Sequence, residues 1–308
     1  MLDRIRTAVL WGRHHIDVPV AVVDVGSNTV RVLVSEGGRT LLSERDMLHL
    51  GADIERHGAI PEDKLALTAA VVGQFVRDAR SAGAMAVEVL IASPGRQAAN
   101  GEDLAQLLRR VAECPVRILS STEEGHLAFL GALSCAGVPG SRTVAVVDVG
   151  GGSAQIVVGS RKTGPQWARS IDLGSQRLTT RLLSDDPPGT TAIAAARDEV
   201  ARYLEELDPP TPQATLAVGG SARAVKRIVG GRLGAEELDE ALAVLAKTST
   251  EKLGKSYGIG EERARTLPAG AVILAGIQSL LGTPLRVQRG GLREGALLSL
   301  AAEHALAA

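Results

Sequence analysis

Two stretches of the 308-residue chain place an acid and glycines in the same order: AVVDVGSNTVRVLV from Ala21 to Val34, and AVVDVGGGSAQIVV from Ala145 to Val158. Aligned without gaps, they put Asp24 over Asp148, Gly26 over Gly150 and Arg31 over Gln155. Glycine tolerates positive φ and leaves backbone N–H groups unobstructed, so Gly26 and the run Gly150, Gly151, Gly152 suit a nest for phosphate oxygens. Asp24 and Asp148, at the carboxyl ends of their strands, suit Mg²⁺ held directly or through water. Ordinary hairpin turns use the same residues. The repetition favours the phosphate clamp.

The elements around these turns follow from pattern. Consecutive valines, an Asp-Val-Gly turn and a second apolar run read as a β-hairpin in each stretch. After the first come a strand near Arg39 to Ser43 and a helix opened by Pro61, with Leu65, Ala69, Val72 and Val76 on one face and Gly83 ending it. Strand AVEVLIAS, helix GEDLAQLLRRVAE, strand VRILS and a helix from STEEGHLAFLGAL complete the first half. The second half repeats the plan: hairpin, strand WARSIDL, a helix from Gln176, a DDPPG loop, a helix from Thr190, strand ATLAVGG, then helices. The linker CAGVPGSRT is rich in turn-formers and marks the boundary. The fold class is α/β, duplicated.

Bulk properties exclude several roles. Formal charge is −1 and aromatic residues make up 2%, so there is neither a field nor a stacking platform for nucleic acid. Cys114 and Cys135 form no CxxC and no ligand cluster, which points to a reducing compartment, the cytoplasm, and away from zinc or a disulfide framework. The apolar run from Leu267 to Leu281 is short for a bilayer and contains Pro268 and Gln278, so it reads as a buried helix and no membrane partner is expected. Residues 1–17 read as an N-terminal extension, with a basic amphipathic helix as the alternative.

Seven motifs, in order, carry a resemblance: DVGSNTVRVLV, ASPGRQAAN, STEEGHLAFLGAL, VVDVGGGSAQIVVG, AVGGSARAVKR, RARTLPAGAVIL and GGLREGALLSL. Together they resemble the exopolyphosphatase/guanosine pentaphosphate phosphatase (Ppx/GppA) family. The two glycine motifs are similar to the phosphate motifs of the actin, hexokinase and Hsp70 superfamily. The resemblance implies two actin-like, ribonuclease H-like domains with the active cleft between them: 18–137, completed by a C-terminal helix 293–308, and 138–292. Long relatives carry further C-terminal helical domains for which this chain has no room. The short two-domain form, acting on short chains, is therefore expected.

The implied activity is Mg²⁺-dependent release of terminal phosphate from inorganic polyphosphate, with pppGpp as the alternative substrate. Carried over by motif, Glu124 is the base that activates water, with Glu123 its neighbour, and Arg96 grips phosphate bidentately. Gly26, Ser27, Asn28, Arg31, Gly150, Gly151, Gly152 and Ser153 bind phosphate, while Asp148 and Asp24 face the metal. Glu124 also fits a capping box with Ser121 as N-cap, in which its carboxylate returns to a backbone N–H.

Arg31, Arg223, Lys226, Arg227, Arg289 and Arg293 either extend a polyanion track or form solvated faces. His49 and His126 receive no role. One departure stands out: the family carries glutamate two residues after the serine of its second glycine motif, and this chain has Gln155. A neutral amide is a weaker ligand for a hard cation. A catalytically weak (p)ppGpp- or polyphosphate-binding sensor is therefore a further alternative. A kinase of the same superfamily is a third, without an acceptor-pocket signature, and homodimerisation is left open.

Overall fold

The computed structural model describes residues 18–307, so the extension at residues 1–17 lies outside the described residues. The chain divides into two compact units, one made of the described residues up to Ser134 with those from Gly290 onward, the other of Cys135–Arg289.

In the first unit, β1 (Val20–Val25), β2 (Thr29–Glu36) and β3 (Arg39–Met47) form an antiparallel meander. Helices α1 (Leu50–His57) and α2 (Glu62–Ser81) lead to β4 (Ala86–Ile91), parallel to β1. Short α3 (Ser93–Gln97) and α4 (Gly101–Ala112) lead to β5 (Val116–Ile118), followed by α5 (Ser121–Cys135). The sheet order is β3-β2-β1-β4-β5. Both faces of β1 are covered, which explains its unbroken apolar run. Ala21, Val23 and Val25 join the core beneath α2 and α4, while Val20 and Val22 join Leu127 of α5 and Ala296, Leu297 and Ala301 of the last helix.

The second unit contains β6 (Val144–Val149), β7 (Ala154–Ser160), β8 (Gly164–Ile171), α6 (Ser175–Leu182), α7 (Gly189–Leu204), β9 (Ala214–Val218), α8 (Gly219–Val229), α9 (Ala235–Leu245), α10 (Thr250–Tyr257), α11 (Glu261–Leu281) and β10 (Leu285–Val287). Its sheet order, β10-β9-β6-β7-β8, repeats that of the first sheet in the reverse direction of listing. The register repeats too: Asp24 pairs across the ladder with Arg31, and Asp148 with Gln155. Even the bulge recurs, between Val34 and Ser35 and between Val158 and Gly159. Helix α11 is long and apolar enough to cross a membrane by composition, yet 67% of its most apolar window is buried within the protein. It packs as a core helix, in contact with α7, α9, α6 and α8.

Helix α12 (Leu292–Ala307) returns to the first unit and crosses α5 at two glycines. A Cβ on Gly131 would lie 2.0 Å from the Gly291 carbonyl oxygen, and one on Gly295 would lie 1.9 Å from that of Leu127. Backbone cannot retreat as a side chain can, so Gly131→Ala should destabilise the protein by about 3 kcal/mol, the upper end of usual overpacking costs. Gly137→Ala, where a Cβ meets nothing within 4 Å, is the control. Urea unfolding of both variants checks this, and equal midpoints would refute the close crossing.

Candidate active site

The first glycine turn closes with the Gly26 N–H donating to the Thr29 carbonyl at 3.0 Å. Its other carbonyls face back into the protein. The Ser27 oxygen accepts from the Gly51 amide at 2.6 Å, and the Asn28 oxygen accepts from the Leu48 and His49 amides at 3.1 and 3.2 Å. A Cβ on Gly51 would sit 2.8 Å from the Ser27 Cβ, so the start of α1 reaches the turn only as glycine. Ser27 Oγ lies 2.6 Å from Ser93 Oγ, and His49 Nδ1 lies 3.0 Å from Asn28 Oδ1. The amides of Ser27 and Asn28 donate to no other described residue. The turn thus presents donors outward and keeps acceptors inward, the polarity an anion requires.

The second turn is built alike. Gly150 N–H donates to the Ser153 carbonyl at 3.0 Å, the Gly150 oxygen accepts from the Ser175 amide at 2.9 Å, and the Gly151 oxygen accepts from the Gln176 amide at 2.9 Å. A Cβ on Gly174, just before α6, would meet the Gly151 oxygen at 2.3 Å. The amides of Gly151 and Ser153 donate to no other described residue. The latitude of glycine toward positive φ is not used here by Gly26, Gly150, Gly151 or Gly152. Crowding explains two of these glycines instead, since a Cβ on Gly26 or Gly150 would lie 3.3 or 3.0 Å from the carbonyl oxygen three residues on.

The catalytic candidates of the first unit meet at the carboxyl end of β4. Gly95 lets α3 lie against β5, where a Cβ would be 2.8 Å from Ile118 Cγ2. From α3, Arg96 donates through Nη1 to the Leu119 carbonyl at 2.6 Å and through Nη2 to Glu124 Oε2 at 2.7 Å. Glu124 is 9% exposed. The capping box forms one residue earlier than its expected place. The Ser120 amide donates to Glu123 Oε2 at 2.8 Å, and the Glu123 amide donates to Ser120 Oγ at 3.2 Å. Glu123 is therefore the capping residue, and Glu124 turns to Arg96.

A family model described as the Ppx/GppA phosphatase family matches residues 32–304. The chain belongs to the Ppx/GppA phosphatase family. It is similar to Exopolyphosphatase 1 of Mycobacterium leprae, with 28% identity over 304 aligned residues covering 91% of this chain and 88% of the relative. Among solved structures, a Ppx/GppA family member from Aquifex aeolicus superposes with a TM-score of 0.79 at 22% identity, covering 93% of this chain and 98% of the other. An exopolyphosphatase from Cytophaga hutchinsonii does so with a TM-score of 0.81 at 19% identity, covering 92% and 97%. These likenesses carry the fold, a duplicated α/β architecture. Family membership makes the chain a hydrolase.

In this Ppx/GppA chain the two aspartates stand in different surroundings. Burial pushes the Asp24 carboxyl above the usual range, opposed by Arg31 across the ladder and by Arg293. Across from Asp148 lies Gln155, 2% exposed, whose Nε2 donates to Ser153 Oγ at 2.8 Å and to Ser170 Oγ at 3.4 Å. Gly219, with φ of +87°, backs Asp148 so closely that a Cβ there would be 2.7 Å from Oδ1. Among the described residues no three His, Cys, Asp or Glu side chains gather into a metal cage. One carboxylate is enough for Mg²⁺ that keeps its waters and arrives with substrate phosphate. Asp148 fits that use, and Asp24, facing a guanidinium, fits it less well.

Arg223, Lys226 and Arg227 are exposed on α8, with Arg227 donating to the Gly258 carbonyl. Sequence reading gave no role to His49 or Ser93, which pin the first turn, or to Arg117, which holds Glu123. His126 is buried, and burial pushes its imidazole below the usual range against a smaller opposing pull from Glu123.

The unfolded chain takes up a proton near pH 6.5 that folded His126 refuses, so this part of the stability is full above that pH and is lost as pH falls toward the lower folded value. His126→Leu should therefore lose less of its urea midpoint than wild type between about pH 7 and about pH 5. Parallel profiles would assign the loss to other groups.

Proposed function

We propose that the protein removes terminal phosphate from inorganic polyphosphate, with short chains preferred, using Glu124 as general base. The observation that carries this reading is Arg96, which binds both Glu124 Oε2 and the Leu119 carbonyl while its helix begins at Ser93, the partner of Ser27 in the glycine turn. One short helix thus links a phosphate-facing turn to a buried carboxylate. Phosphoryl transfer asks for little else: donors for equatorial oxygens, a charge partner, and an oriented water.

In the first unit the amides of Ser27 and Asn28 supply donors, and the Arg96 fork adds charge where negative charge gathers. Glu124 takes a proton from water as the water oxygen bonds to the terminal phosphorus. The bridging P–O bond breaks, giving orthophosphate and a chain one unit shorter. Mg²⁺ near Asp148 would neutralise the charge of the phosphate oxygens. The name of the Mycobacterium leprae relative supports polyphosphate, and the family description leaves pppGpp as the second substrate to assay.

A second reading, a binding protein with little turnover, is favoured by Gln155, a neutral amide opposite Asp148 that is already bonded to Ser153 and Ser170. Phosphate release from tripolyphosphate, long-chain polyphosphate, pppGpp and ATP, with and without Mg²⁺, separates the readings. Glu124→Gln should cut the rate by ~10²–10⁴-fold while substrate affinity is kept, and a wild-type rate would remove Glu124 from the mechanism. Gln155→Glu should raise turnover and sharpen Mg²⁺ dependence in a hydrolase. In a binding protein the same change should weaken polyphosphate affinity and leave the rate at zero.

A further inference from the structure

The segment Ser120-Ser121-Thr122-Glu123-Glu124 contains two overlapping capping boxes, Ser120 with Glu123 and Ser121 with Glu124. A helix has a single N-cap, so only one box forms at a time. Both offer a serine hydroxyl and a glutamate carboxylate at the same spacing, and the segment itself gives no strong reason to choose. The second box would draw Glu124 to the Ser121 amide and away from Arg96. The first is the one formed, with both of its reciprocal bonds in place.

The choice is made from outside the segment. Glu123 uses Oε2 for the cap, and its Oε1 lies 3.3 Å from Arg117 Nη1. Arg117 stands on β5, and its Nε donates to Glu88 Oε1 of β4 at 2.5 Å. Glu88 is mostly shielded, with a side chain 12% exposed, and Glu303 of α12 adds to the negative field around the guanidinium. Arg117 is therefore fixed to the sheet and holds one glutamate of the pair, the one that caps.

We propose that Arg117 is a positioning residue that selects the capping register of α5, committing Glu123 to the helix end so that Glu124 is left for Arg96 and the reaction. The inference rests on the reading of Glu124 as base, but the register can be observed without activity. Arg117 bonds to Glu88 and to Glu123, and its hold on Glu123 is what sets the register.

The test compares wild type, Arg117→Met, Ser121→Ala and the double variant, by steady-state phosphate release from tripolyphosphate and by amide hydrogen exchange of Ser120 and Ser121 followed by NMR. Arg117→Met should lower kcat about tenfold, the effect of a shift of about 1.4 kcal/mol between registers, with KM within about twofold. Protection should pass from the Ser120 amide to the Ser121 amide. Removing the competing N-cap should restore most of kcat in the double variant, while Ser121→Ala alone behaves as wild type. A merely structural loss would not be rescued by a second substitution. A Ser120 amide that stays protected in Arg117→Met, or a double variant no faster than the single one, overturns the proposal. A register that shifts while kcat is unchanged upholds the selector and overturns Glu124 as the base. Should Arg117→Met not fold, Arg117→Lys, a point charge that cannot fork to both glutamates, should show a smaller fall with the same rescue.

Discussion

Each glycine turn depends on the backbone of a helix start coming within hydrogen-bond reach of the turn's carbonyl oxygens. A tight turn has donors and acceptors in equal supply, and an anion is attracted only if the acceptors are turned elsewhere. The amide of Gly51 in α1 and those of Ser175 and Gln176 in α6 take up those acceptors. The exchange serves both partners, because the first amides of a helix have no carbonyl of their own to bond. A buried carbonyl left unpaired would cost about 1–3 kcal/mol. The geometry leaves no room for a methyl group at Gly51 or Gly174, so two glycines well away from the motifs in sequence are as necessary to the turns as the motif glycines.

Duplication preserved the frame while the side chains diverged, and one divergence faces the aspartates. The strand order, the ladder register and the bulge near the end of each second strand recur in both units. The residue facing the aspartate does not. Arg31 sets a permanent cation opposite Asp24, whereas Gln155 sets a neutral amide opposite Asp148. The pull of Arg31 on the Asp24 carboxylate is outweighed by burial. The two aspartates of the repeat therefore stand opposite different chemistry, a cation in one unit and an amide in the other.

Much of this was legible in the sequence because it rests on short-range periodicity. Consecutive valines, the repeated Asp-Val-Gly and the apolar face of Leu65, Ala69, Val72 and Val76 specify elements through local rules, and the observed α2 and both hairpins follow them. The reason for the motif glycines was not legible, because it is set by the crowding of a carbonyl oxygen in three dimensions and not by φ. The bonds of His49 and Ser93 to the first turn join residues 21 and 66 positions apart. No window of local sequence contains such a contact. The capping register was misplaced by one residue for a related reason: the local code was ambiguous, and the deciding partner, Arg117, lies on a strand.

The glutamate pair shows how far residue type underdetermines chemistry. Glu123 and Glu124 are adjacent, identical and in the same helical turn, so propensity and the helix dipole treat them almost alike. A helix separates neighbouring side chains by about 100°, and that rotation points one toward β4 and β5 and the other toward α3. Each direction holds one arginine. Arg117 meets a carboxylate whose second oxygen is spent on the Ser120 amide, while Arg96 meets one shielded from solvent and beside a helix tied to the first glycine turn. An oxygen bonded to a backbone amide is committed to holding the helix end and is a poor acceptor for a water's proton. The different bonding of the two acids is thus produced by the sheet and by α3, which deliver their arginines to different faces of one helix start.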